Sequence, residues 1–411
     1  MRVFFVTTEF INPNTRKICD GGLANYLRKI TYILTKIGHE VHVVMPYQKG
    51  QDVVLEGVHV HFTKQSKNMA YYLKKFFSRD SRQFRKDFVT NNAYRFIEAE
   101  HRREPIDIIQ FASSIRNFRL PAHIPHCVRI SSYEKLWARA YQYENLSGIN
   151  NEVALFKKVR FVYGPSRRIN EYIRKDLNLT HEFTVIETPY EEHNTLVEDD
   201  VVYHSLRGQI GQAQYLLFFG TIGRLKGSDE IADVIFPLLS QHRDIYFVLV
   251  GKNMNWGGKG YYHDAVEYIR TKAKEHAGRV IHIPSQPHAS LYPFIRNAKA
   301  VVLPSRIDNF PNTCVEAMRL KKVIVGTRDA SFDQLLDDGR SGFLCDAENP
   351  PSLLGTLQRL MQVSDDRLRI MGEAAYERTQ TLAPEIIAKQ VLDYYCHVIQ
   401  NWQLQEQHEA F

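Results

Sequence analysis

A chain of 411 residues is too long for one ordinary core and suits two domains of roughly 200 residues each. With 44% hydrophobic and 12% aromatic residues it is excluded from the disordered class, and no run of about 18 apolar residues exists to span a bilayer. Charge is uneven, because residues 1–181 hold 30 Lys and Arg against 16 Asp and Glu, a net +14, while the whole chain carries +7. A surface of that sign attracts anionic lipid, nucleic acid or acidic glycans, and a solubilising surplus accounts for it equally well. The five cysteines, Cys19, Cys127, Cys314, Cys345 and Cys396, are scattered and have no zinc-ligand spacing. Reduced thiols and a cytoplasmic location are therefore expected. Residues 1–10 have too short an apolar run for a secretory leader, so any membrane contact is expected to be peripheral.

In chain order, Arg2-Val-Phe-Phe-Val-Thr-Thr8 reads as a buried parallel strand. Asp20-Gly21-Gly22 then opens a helical pattern of Leu23, Tyr26, Leu27, Ile30, Ile33 and Leu34, and Gly38-His39 turns into a strand over 40–45. Strand, glycine-rich turn, helix and strand make a βαβ unit. Further strands are expected at 106–111, 127–131, 160–163 and 183–186. Residues 182–200 hold seven acids and no base, and the stretch 190–213 reads as a linker. The pattern restarts with strands at 215–220, 245–250 ending in Gly251, 279–283, 300–303 and 323–325. A helix follows Pro384. Strands alternating with helices imply α/β, two doubly wound sheets joined by a linker and facing across a cleft, with ligands at the carboxyl ends of the strands.

Chemistry concentrates in Leu303-Pro-Ser-Arg-Ile-Asp-Asn-Phe-Pro-Asn-Thr-Cys-Val-Glu-Ala-Met318. A strand ends at Pro304, and a helix is expected from Asn312 or Thr313. Free N–H groups at a helix start suit phosphate. Asp308 precedes that start and Glu316 lies one turn inside, so a phosphate there would have a carboxylate on either side, each able to accept sugar hydroxyl hydrogens. An N-capped helix with two surface acids fits the same spacing. Residues 64–103 hold 11 Lys and Arg against four acids, interleaved with Tyr71, Tyr72, Phe76, Phe77, Phe84, Phe88, Tyr94 and Phe96. Such a stretch suits an anionic membrane surface or packing on the core, and no nucleic-acid motif accompanies it.

The segment from Asp308 to Glu316 resembles the donor motif of the retaining glycosyltransferases of family four, which have the GT-B fold: a Glu, seven residues, then Glu-Ala-Met. The run Val323-Ile-Val-Gly-Thr-Arg-Asp-Ala-Ser-Phe-Asp-Gln-Leu-Leu-Asp-Asp-Gly-Arg-Ser-Gly-Phe-Leu344, residues 220–227 and Asp20-Gly-Gly-Leu-Ala-Asn-Tyr26 resemble that family too. The resemblance spans nearly the whole chain and is strongest over 215–345.

It implies an N-terminal acceptor-side domain over 1–205, a nucleotide-sugar-binding domain over 206–385, and a helix over 386–411 packing back on the first. Glu316 is implied to hold the donor ribose and Asp308 the hydroxyls of the transferred sugar. The backbone of Asn312 and Thr313 is implied to cradle the diphosphate, with Asn309, Phe310 and Gly251 in the same donor-binding set. Lys226 matches the lysine that neutralises the leaving group, and Gly21 and Gly22 match the glycines that approach phosphate and acceptor. Thr221 stands where the family often has Arg, Ser131 where it often has His, Asp308 where it has Glu, and Pro311 where it has Gly. Arg224, in the same loop as Thr221, is the candidate for a second cation. The implied partners are a nucleoside-diphosphate sugar (a UDP-sugar among the candidates) and a glycan or lipid-linked acceptor, in cell-surface polysaccharide or glycoconjugate synthesis. No cofactor and no metal are expected, since no Asp-x-Asp pair stands at a strand end. The alternatives are a sugar-nucleotide epimerase of the same fold and a non-catalytic nucleotide-sugar-binding subunit.

Overall fold

The computed structural model describes residues 1–19, 21–46, 50–63, 81–115, 119–141, 145–191, 197–254 and 264–409, except the side chains of 81–91, 141 and 405–409. Asp20 lies outside the described residues, as does most of the basic aromatic stretch: Tyr71, Tyr72, Phe76 and Phe77 entirely, and the side chains of Phe84 and Phe88.

Two compact units emerge. The first comprises Met1–Ala138, Tyr143–Pro189 and Ala383–Phe411, and the second Arg139–Gln142 and Tyr190–Leu382. The division falls at Pro189 and Tyr190, ahead of the expected 205/206. The expected linker contains the helix Val201–Ile210, whose Leu206 and Ile210 are buried and whose Tyr203 meets Phe294 edge-on. Its acidic approach is bonded within the second unit, where Glu198 accepts from Arg296 and Asp199 from Ser290. An acid run without bases thus reads as a solvated linker by composition but as one side of a set of polar contacts in the fold.

In the first unit the strands are β1 (Arg2–Val6), β2 (Glu40–Met45), β3 (Val53–Leu55), β4 (Val58–Phe62), β5 (Ile108–Ala112), β6 (His126–Arg129), β7 (Val162–Gly164) and β8 (Thr184–Val185). Their order is β3-β4-β2-β1-β5-β6-β7-β8, parallel except for β3 against β4. Strands β1, β5 and β6 are buried along their whole length, as central parallel strands with both faces covered must be. The helix Gly22–Lys36 turns Ala24, Tyr26, Leu27, Ile30, Ile33 and Leu34 inward at helical spacing. The hairpin of β3 and β4 was not among the expected strands. Its turn is Glu56-Gly57, both at positive φ.

The last helix, Pro384–Glu409, belongs to this unit. Its Ile387, Val391, Tyr395 and Val398 join one buried cluster with Val3, Phe5, Tyr26 and Val43. A buried chain of hydroxyls fixes it. Tyr395 and Tyr163 both donate to Gln110 Oε1, at 2.6 and 2.5 Å, and Tyr163 meets Tyr26 at 2.8 Å. Such groups are costly to leave unbonded, so each hydroxyl specifies the register of the others.

In the second unit the strands are β9 (Gln214–Phe219), β10 (Ile245–Val250), β11 (Val280–Ile283), β12 (Ala300–Leu303), β13 (Ile324–Thr327) and β14 (Phe343–Cys345). All pair in parallel, in the order β11-β10-β9-β12-β13-β14. The order reverses between β9 and β12, and that switch point places the candidate site. Among the described residues, no helix is long and apolar enough to cross a membrane.

Candidate functional site

Two loops meet at the switch point of the second unit. One leaves β9 through Gly220 and makes a short turn over Arg224–Lys226 before the helix Ser228–Gln241. The other leaves β12 through Pro304 and leads into the helix Asn312–Arg319. Gly227 lets them touch. Its φ is +85°, and a Cβ there would lie 2.1 Å from the Pro304 carbonyl oxygen, so any side chain would be both strained and in collision. Arg306 N–H then donates to Leu225 O at 2.9 Å, tying loop to loop. Gly251 is needed for a similar reason: φ is +152°, and a Cβ would sit 1.8 Å from Gly220 O. That close approach brings the ends of β9 and β10 together. Beside them, Thr313 Cγ2 lies 3.4 Å from the place of a Cβ on Gly220.

The helix begins at Asn312 with Pro311 as its N-cap, and no side chain caps it. Cys314 and Val315 N–H both turn to Pro311 O. The start therefore keeps donor capacity at Asn312 and Thr313, with the positive end of the helix dipole behind it. Pro311 has no N–H, but at the N-cap position none is needed within the helix. Cys314, Val315, Ala317 and Met318 are buried, which anchors the helix and fixes where its first turn points.

On one side of this start Lys226 Nζ makes an ion pair with Asp308, itself largely buried. Ser331 Oγ donates to Asp308 O at 3.1 Å and holds the loop. Behind Lys226 lies a cluster that the sequence reading passed over. Arg306 is half-buried and pairs with Glu230 at 2.7 Å and Asp229 at 3.1 Å. Arg224 is mostly covered, its Nε 3.7 Å from the same Asp229 oxygen. Burial raises the Glu230 carboxyl above the ordinary range, against the pull of Arg306. Arg306 stood inside the quoted motif, and its role had no local signal because its partners lie 76 and 77 positions away. Thr221 is exposed beside this loop.

Across the helix, Glu316 lies one turn in, half-exposed, with His288 Nε2 3.8 Å from its Oε1. His288 opens the helix His288–Asn297, whose Tyr292 hydroxyl is held above its ordinary pKa by burial and by the charges of Glu316 and Glu191. The sequence reading missed both. Phe310 is buried and Asn309 is half-buried in the loop between Asp308 and the helix. The second unit thus brings Lys226, Asp308, Asn309, Phe310, Asn312, Thr313 and Glu316 around one helix start, with Gly251 at the neighbouring strand end. Among the described residues, no group of three or more His, Cys, Asp or Glu is placed to hold a metal ion.

Gly21 and Gly22 belong to the first unit and are described within it. Gly21 has φ +155° and packs against the Glu9 side chain, whose Oε1 lies 1.9 Å from where a Cβ would stand. Burial raises the Glu9 carboxyl, while the Ala24 N–H in the first turn of the helix Gly22–Lys36 pulls it back. Ser131, which stands where the resembled family often has His, accepts or donates at 3.1 Å with Ser113 Oγ. Gly21, Gly22 and Ser131 all lie in the first unit.

Residues 213–363 match the family model described as "Glycosyl transferases group 1". Over 163 residues the chain is 30% identical to a D-inositol 3-phosphate glycosyltransferase from Corynebacterium jeikeium (strain K411), covering 38% of this chain and 37% of that one. The chain spans less than half the length of such curated relatives. Among solved structures, a sucrose-phosphate synthase from Thermosynechococcus elongatus superposes with a TM-score of 0.71 at 14% identity, over 97% of this chain and 99% of that one. HepE from Anabaena, solved with UDP and glucose, gives 0.64 at 15% identity, over 96% and 98%. The fold is therefore the two-unit GT-B fold shared with these structures, and the family match is confined to residues 213–363.

Proposed function

We propose that the chain is a retaining glycosyltransferase that uses a nucleoside-diphosphate sugar, with the donor held by the second unit. One observation carries the reading. Lys226 and Asp308 meet beside a helix start that no side chain caps, with Glu316 one turn inside it. The family match over 213–363 supports it, because that span contains all of these residues. In this reading the N–H groups of Asn312 and Thr313 and the Lys226 ammonium take the diphosphate. Asp308 exchanges its lysine for sugar hydroxyls, and Glu316 exchanges His288 for the ribose hydroxyls.

When the bond from the anomeric carbon to phosphate breaks, its electron pair goes to the diphosphate oxygen. The acceptor oxygen forms the new bond to that carbon, and the acceptor proton leaves to the departing phosphate. Charge grows on the diphosphate, where a fixed cation and oriented N–H groups stabilise it most. These groups can do the work of a metal ion, so the reaction is proposed to be metal-independent. The acceptor is proposed to be a hydroxyl of a glycan or lipid-linked polyol in cell-surface glycoconjugate synthesis. Contact of the basic first unit with an anionic surface belongs to the same reading and predicts salt-sensitive partition onto anionic vesicles.

The test is a thermal-shift screen of UDP-, GDP-, ADP- and dTDP-sugars in EDTA. A donor that binds the folded chain raises its melting temperature, by about 2.7 kcal/mol of stability at a hundredfold excess over Kd. The reading expects one base to stand out with EDTA present. A flat response to all four, or a response only when magnesium or manganese is restored, would count against it.

A further inference from the structure

Lys226 is held by little of its own local structure. It ends the three-residue turn Arg224–Lys226, whose backbone bonds are short-range: Lys226 N–H to Gly223 O at 2.9 Å and Gly227 N–H to Arg224 O at 3.0 Å. Its ammonium sits on a flexible stem, so the place of the charge depends on what holds the turn.

One residue of the opposite loop holds that turn from both ends. On the near side, Arg306 N–H donates to Leu225 O at 2.9 Å. On the far side, its guanidinium returns to the first turn of the helix Ser228–Gln241. Nε donates to Glu230 at 2.7 Å and one terminal nitrogen to Asp229 at 3.1 Å, while Glu348 Oε2 stands 3.8 Å from the other. Lys226 lies between the two grips, and its partner Asp308 follows Arg306 by two residues in the chain. Arg306 therefore ties together the loops that carry both members of the Lys226–Asp308 pair.

Acids in the first turn of a helix favour it through the dipole, and they do so from the surface. Glu230 does not stay at the surface. It is 4% exposed, and its carboxylate meets a residue 76 positions away. Taking a charge out of water costs free energy that apolar packing avoids, so the pair answers a requirement of geometry rather than of stability. We propose that Arg306 and Glu230 are positioning residues, which hold the Lys226 ammonium where the leaving diphosphate develops its charge. The inference rests on the donor reading, in which neither residue touches the donor.

The test replaces the pair by apolar residues of similar size, Arg306→Met with Glu230→Leu, a change that often leaves stability intact for an enclosed ion pair. The first readout needs no donor: acetylation of Lys226 in the full chain by an N-hydroxysuccinimide ester, followed by mass spectrometry, with the exposed Lys274 as internal reference. A turn released from Arg306 opens more often, so Lys226 should react at least about threefold faster than in the parent while Lys274 is unchanged. The second readout is nucleoside-diphosphate release. Here kcat should fall at least about tenfold while KM changes less, because the charge develops only as the bond breaks. Made in a Lys226→Ala background, the same double change should cost little more, since the pair acts through Lys226. Arg306→Lys keeps one ion pair without the planar fork and should fall between parent and double variant; it takes over the test if the double variant does not fold. Unchanged Lys226 labelling, parental kcat, or a full further loss in the Lys226→Ala background overturns the positioning role. A parent that releases no diphosphate removes the donor reading instead, and the labelling still decides whether Arg306 and Glu230 hold Lys226.

Discussion

Asp229 shows how far single residues decide the proposed chemistry. Its carboxylate is bonded to Arg306, which Glu230 also holds, and stands 3.7 Å from Arg224. In the proposed reading Arg224 adds a second cation toward a leaving diphosphate, in a loop where Thr221 offers only a neutral hydroxyl. Arg224→Ala is expected to lower turnover at least about tenfold, one factor of ten per 1.4 kcal/mol of lost transition-state stabilisation. Donor affinity should fall less, because the extra charge develops only as the bond breaks. Thr221→Arg in that background should recover part of the rate. Steady-state kinetics with the preferred donor decides it: parental turnover in Arg224→Ala would place the second cation elsewhere. At this scale the sequence was legible in placement where residues sit on one short segment, as for Asp308, Asn312 and Glu316 around one helix start. It was silent where a role depends on a distant partner, as for Arg306 with Glu230 or His288 with Glu316.

Elements were legible where burial on both faces leaves an unbroken apolar run. Strands β1, β9 and β10 read that way and form as read. The hairpin β3–β4 was missed although Val58-His-Val-His-Phe62 alternates apolar and polar residues, since its histidines look like loop residues until His61 is seen bonded to Asp52. Strand β14 was missed because three residues are too few to show a period. Glycines carry the opposite lesson: a turn glycine is easy to mark, but only geometry separates one that cannot change from one that can. Gly227→Ala should destabilise the second unit by at least about 2 kcal/mol, from the positive φ and the collision with Pro304. That corresponds to about 4–8 °C in melting temperature. Gly278→Ala, where a Cβ meets nothing within 4 Å, should melt within about 1 °C of the parent. A thermal melt in which the two variants behave alike would remove the close contact between the loops as a requirement of the fold.

Over the whole molecule, the two units differ in how acid acts on them. His39, His42, His101, His126 and His181 all lie in the first unit, and burial lowers each of their pKa values, His42 to about 4. An unfolded histidine protonates near pH 6.5, while these resist protonation when folded. The unfolded chain therefore binds more protons as pH falls below about 6.5, and stability is lost from there down toward pH 4. Glu9 and Glu230, raised by burial, act in the opposite sense. Hydrogen exchange at pH 7 and 5.5, corrected for intrinsic rates, should show β1, β2 and β6 losing protection before β9 and β10; the reverse order would contradict this. The net +14 of residues 1–181 was legible from composition, whereas the burial of these histidines was not. The central claim, that the second unit holds a nucleotide sugar and Lys226 neutralises its leaving diphosphate, is tested most directly by nucleoside-diphosphate release. The parent and Lys226→Ala are compared across the four donor classes. The account predicts that the parent releases the diphosphate from at least one donor, and that Lys226→Ala, still folded, does so at least about a hundredfold more slowly, a loss near 2.7 kcal/mol. A parent that consumes none of the donors, or a Lys226→Ala variant that matches it, would contradict the account.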